Sequence, residues 1–128
     1  MVEFPTPPNA RLSRWVGFAL LGYWCLIFTA THVPVPKTNL PANSDKLVHL
    51  VMYGGLSFLL AGWLAAKGKR GLRVIAAVFA ITAVYAVADE LLQIPVGRTA
   101  DVIDWLADCA GSLLGLTAII ALQKVCWR

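Results

Sequence analysis

Residues 89–108 read DELLQIPVGRTADVIDWLAD. Five carboxylates lie in this stretch (Asp89, Glu90, Asp101, Asp104 and Asp108), out of only seven Asp and Glu residues in the whole chain. The sequence on both sides is apolar enough for a membrane span. A charged side chain at the centre of a spanning helix costs at least about 2.5 kcal/mol, so acids in such a setting mark a functional site by default. Pro95 divides the stretch, because the residue before a proline avoids the helical region. The acids therefore belong to the end of one helix and the start of the next.

The composition agrees with a membrane setting. The chain has 128 residues, 59% of them hydrophobic and 14% charged, with a mean hydropathy of +0.70. A soluble domain is closer to half apolar and a quarter charged. The net charge of +4 does not indicate nucleic acid, because the basic residues flank apolar segments instead of covering a polar domain. Cys25, Cys109 and Cys126 are scattered without metal-type spacing and read as small apolar residues.

A span needs about 20 mostly apolar residues. Four segments qualify, at about residues 15–33, 47–66, 72–94 and 102–122, which predicts an all-α integral membrane bundle of four transmembrane helices in one domain. Residues 1–14 form an amino-terminal cytoplasmic tail in this reading, with Pro5, Pro7 and Pro8 marking residues 1–9 as flexible. The first apolar run follows Arg11 and Arg14 but is longer than a signal-peptide core and lacks an A-x-A-like site, so it reads as an anchor.

Lys and Arg set the orientation. Arg11 and Arg14, then Lys67, Lys69, Arg70 and Arg73, then Lys124 and Arg128 outweigh Lys37, Lys46 and Arg98 in the alternate loops. This bias puts both termini and the second loop in the cytoplasm. Trp15, Trp63 and Trp127 then lie at the inner interface and Trp105 at the outer one, whereas Trp24 falls mid-span and should pack on a neighbouring helix.

With that orientation, polar residues from three helices share the outer depth. Asp45, His49 and Tyr53 form one stripe, since residues three or four apart share a helix face. Glu90 and Gln93 form a second stripe that Ala86 and Thr82 continue. Asp101, Asp104, Asp108, Gly111 and Gly115 form a third, in which G-x-x-x-G permits close helix approach within the chain or between copies. The expected arrangement is a bundle closed at its inner half and open outside as a polar pocket.

His49 can serve there as acid, base or metal ligand. Glu90, Asp104 and Asp108 are candidate catalytic acids or bases, and with His49 they are candidate ligands for a divalent metal ion. Lys46, Tyr53, Gln93 and Arg98 are candidate ligand-binding residues. Several of these have a plainer alternative: His49 an interfacial residue bonding its neighbours, Lys46 a snorkelling anchor, Tyr53 a packing residue, Arg98 a counter-ion for Glu90 or Asp104, and Asp101 and Asp104 helix caps.

The ordered set Asp45-Lys46-x-x-His49-x-x-x-Tyr53, Asp89-Glu90-x-x-Gln93-x-x-x-x-Arg98 and Asp104-x-x-x-Asp108-x-x-Gly111-x-x-x-Gly115 resembles the VanZ-like family of bacterial membrane proteins. The resemblance runs from Asp45 to Leu122, and Asp108 stands where many members carry Asn. It implies a small multi-pass protein of the bacterial inner membrane acting at the cell envelope, with a link to teicoplanin resistance. Two functions follow as expectations. One is binding of a lipid-linked cell-wall precursor or a lipophilic glycopeptide among the membrane lipids. The other is a membrane-embedded, metal-assisted hydrolase or transferase acting on a lipid. A proton or cation pathway is disfavoured, because the inner half has no ionisable residues to continue a relay.

Overall fold

The computed structural model describes residues 8–33, 41 and 43–126. Four helices follow one another: α1 (Ala10–His32), α2 (Ser44–Ala66), α3 (Leu72–Gln93) and α4 (Val102–Cys126). All four are long and apolar enough to cross a membrane. The chain is thus an all-helical, multi-pass membrane protein.

The helix ends differ from the hydropathy boundaries where polar residues take part in them. Asn9, expected in a flexible tail, is the N-cap of α1: its side chain accepts from Leu12 N at 2.9 Å, and its own N–H donates to the Ala66 carbonyl at 2.8 Å. Arg11 and Arg14 therefore lie inside α1. α2 begins at Ser44, and its polar first turn is invisible to a hydropathy window. α3 gives way at Ile94–Val96 to a 3-10 turn containing Pro95, closed by Gly97 at φ 82° in the left-handed region. Pro5, Pro7, Lys37, Trp127 and Arg128 lie outside the described residues.

Contacts at the helix ends give an up-down-up-down bundle. The start of α1 touches the end of α2 through Asn9 and Ala66. The end of α1 meets the end of α3 through Thr31 and Asp89, and the starts of α2 and α4 meet through Lys46 and Asp104. Residues 31–32, 45–49, 89–98 and 101–108 are thereby gathered at one end.

α2 and α4 form the closest pair. A Cβ on Gly111 would run into the Leu50 carbonyl, and one on Gly115 into the Gly54 carbonyl and Ser57 Oγ. Ser57, fully buried, adds hydrogen bonds to the Ser112 carbonyl at 2.9 Å and the Gly54 carbonyl at 3.1 Å. The small-residue face of α4 is thus spent on α2 within the chain. Backbone contact of this kind suits a bilayer, where apolar side chains gain little by leaving lipid for one another.

The true core is small: Ile27, Tyr53, Leu56 and Ala86 near the polar end, and Ala61, Val78, Leu116 and Ile119 near the other. Large apolar residues such as Leu21, Leu26, Val84, Leu113 and Leu114 face outward. So many exposed apolar side chains mark a membrane-facing surface. Trp24 packs edge-on against Tyr85 of α3, with ring centroids 5.5 Å apart.

Candidate functional site

The polar end is built around His49. It projects from the second turn of α2 toward α3 and α4 and is only 4% exposed. Its Nδ1 lies 2.9 Å from Asp108 Oδ1 and 4.0 Å from Glu90 Oε1. Its Nε2 lies 4.0 Å from Asp104 Oδ2. Asp108 and Glu90 are 1% and 5% exposed, so the centre of the expected polar pocket is buried within the bundle. One ligand atom from each of His49, Glu90 and Asp108 falls within 4.8 Å of the others, so this trio could hold a metal ion.

The spacing along each helix explains the convergence. Asp104 and Asp108 are one turn apart on α4 and meet His49 from its two ring-nitrogen sides. Glu90 comes from the last turn of α3. Its Oε2 accepts the Asp101 backbone N–H at 2.9 Å, which ties the end of α3 to the start of α4. Asp101 Oδ1 in turn accepts from Ile103 N at 2.8 Å, the geometry of an N-cap. Lys46 lies above the trio. Its Nζ is 3.1 Å from Asp104, 3.3 Å from Asp45 and 3.6 Å from Asp101, so this cation offsets part of the acidic mouth.

Other polar atoms are left over. Glu90 Oε1 and the Tyr53 hydroxyl are buried without a hydrogen-bond partner among the described residues. Tyr53 lies one turn beyond His49 on α2 and stacks near Tyr85, with centroids 6.0 Å apart.

Gln93 and Arg98 take part in a second cluster. Gln93 Nε2 donates to Asp89 Oδ2 at 3.1 Å instead of reaching Glu90. Asp89 is 1% exposed, and its Oδ1 accepts from Thr31 at 3.1 Å and Tyr85 at 3.5 Å, with His32 Nδ1 at 3.8 Å. Arg98 turns to α1 and donates to the Thr31 carbonyl at 3.1 Å; it forms no ion pair with Glu90 or Asp104 among the described residues. Thr31, His32 and Tyr85 have no place in the sequence-derived site. The stripe Tyr85, Asp89 and Gln93, spaced four apart, was the available signal for this cluster.

Beside the trio, a cleft of about 360 Å³ runs between α3 and α4. Val87, Leu91, Ala100, Val102 and Trp105 line it, with Glu90 and Asp101 as its polar members. Trp105 is fixed there by its indole N–H, which donates to the Ala83 carbonyl at 3.1 Å. Chemically, the site offers an imidazole oriented by one carboxylate, with a second carboxylate facing its other nitrogen. That arrangement can move a proton or hold a cation.

No curated protein and no solved structure matches the chain. The protein family described as VanZ/LLP1 matches residues 16–123, a span that takes in α2, α3 and every member of both polar clusters. The chain belongs to the VanZ/LLP1 family.

Proposed function

We propose that the protein works in the bacterial cytoplasmic membrane, where it engages an amphiphilic envelope molecule at the outer face and so alters antibiotic susceptibility. The ligand is a lipid-linked cell-wall component or a lipophilic glycopeptide of the teicoplanin type. The observation that carries this reading is the α3–α4 cleft. Its walls are almost entirely apolar, and it borders the acidic cluster at Glu90 and Asp101. A long apolar chain suits such walls, and its polar head would lie beside the partly exposed Asp101 and Lys46, since ligand sites pair apolar walls with a few placed polar groups.

The test is teicoplanin susceptibility of a sensitive bacterial host. Production of the protein should raise the inhibitory concentration several-fold, and Trp105→Ala, which empties one wall of the cleft, should remove most of the gain at equal abundance. No change with the wild-type protein, or full protection by Trp105→Ala, would reject the reading.

A second reading is a membrane-embedded hydrolase or transferase acting on a lipid. The contact of 2.9 Å between His49 Nδ1 and Asp108 favours it, because a carboxylate that orients an imidazole leaves the other ring nitrogen to act as acid or base. His49→Ala and Glu90→Gln should then abolish the phenotype while the protein still inserts. If both variants kept the full effect at equal abundance, catalysis would have to be abandoned.

A further inference from the structure

We infer that His49, Glu90 and Asp108 form a binding site for one divalent transition-metal ion of the manganese or zinc class. Three observations carry this. The first is the donor set, one imidazole nitrogen and two carboxylate oxygens from three different helices, all buried. Mixed nitrogen and oxygen ligands suit manganese and zinc better than calcium.

The second is geometry. Around an octahedral ion with bonds of about 2.1 Å, adjacent ligands are about 3.0 Å apart and opposite ones about 4.2 Å apart. His49 Nδ1 lies 2.9 Å from Asp108 Oδ1 and 4.0 Å from Glu90 Oε1, and all three donor atoms fall within 4.8 Å of one another, near enough for one ion to draw them together.

The third is independent of the first two. Glu90 Oε1 points at His49 and has no hydrogen-bond partner among the described residues, although Glu90 is 5% exposed. A buried carboxylate oxygen with nothing to bind is costly, and groups of this kind need an explanation such as an ion. Charge gives the same valence: a neutral imidazole and two carboxylates sum to −2, which a divalent ion cancels. Asp104 is already served by Lys46 at 3.1 Å, so it need not be a ligand.

The inference does not rest on the lipid-binding reading. It is tested with metal alone, so the two can fail separately. Full-length protein in detergent, stripped with chelator, is titrated with Mn²⁺ and with Zn²⁺ while thermal unfolding and bound metal are measured. About one ion per chain should bind, and the unfolding midpoint should rise by about 5 °C or more at saturation. Glu90→Gln and Asp108→Asn keep side-chain shape but remove a charged ligand, and should weaken binding at least about tenfold. For the Mn²⁺-loaded wild-type protein, pulsed electron paramagnetic resonance should show nitrogen coupling from a single imidazole, a readout that needs no variant to fold. Failure of the wild-type protein to bind either ion overturns the site. So does unchanged affinity in both folded variants, or bound manganese without nitrogen coupling.

Discussion

Asp89 and Glu90 are neighbours in sequence and belong to different clusters. Adjacent helical residues point about 100° apart, so Asp89 faces α1 while Glu90 faces α2 and α4. That rotation was legible in the sequence, but the partner waiting on each side was not. Spacing alone places Gln93 on the face of Glu90, whereas its side chain bonds Asp89 one turn back. Thr31 and His32 close the apolar run of α1, and nothing in their spacing points to Asp89 on α3. The two clusters should respond differently to substitution. Thr31→Val removes one of several donors to Asp89 and leaves a buried acceptor short, which should cost about 1–3 kcal/mol of stability. Asp108→Ala removes the close partner of buried His49 and should cost about 3–5 kcal/mol. Thermal unfolding in detergent measures both. Equal losses would mean that the contact between His49 and Asp108 is no stronger than one hydroxyl bond.

The helices themselves were readable because each is a continuous apolar run, and only their ends moved. Those ends are decided by caps such as Asn9 and Asp101, whose side-chain bonds leave no trace in hydropathy. Asp101→Ala should cost about 1 kcal/mol through the lost cap, while its backbone N–H remains available to Glu90. A loss as large as that of Asp108→Ala would show that the Asp101 carboxylate does more than cap. The G-x-x-x-G face of α4 was equally plain, yet only the fold assigns it to α2. Gly115→Ala puts a methyl group against the Gly54 carbonyl and should cost about 1–3 kcal/mol. Gly22→Ala on α1 meets nothing within 4 Å and should be neutral or stabilising by up to about 1 kcal/mol. If the two behaved alike, the close approach of α2 and α4 would not be a determinant of stability.

The whole molecule has two unlike ends. Arg11, Arg14, Lys67, Lys69, Arg70, Arg73 and Lys124 lie at the ends of helices where α1 and α3 begin and α2 and α4 finish. At the opposite end, Lys46 is held by acids and Arg98 by the Thr31 carbonyl. The up-down-up-down arrangement makes orientation a single choice for all four helices, and Lys and Arg bias in short loops decides such choices. The basic end should therefore face the cytoplasm. A fluorescent protein fused after Arg128 should fluoresce, and a phosphatase fused there should be inactive. A phosphatase fused after Arg98 in a truncated chain should be active. The opposite pattern would turn His49, Glu90 and Asp108 toward the cytoplasm, and an outer-leaflet ligand could no longer reach the α3–α4 cleft. The metal site would survive that result, because its geometry depends on three helices meeting and not on which side of the membrane they meet.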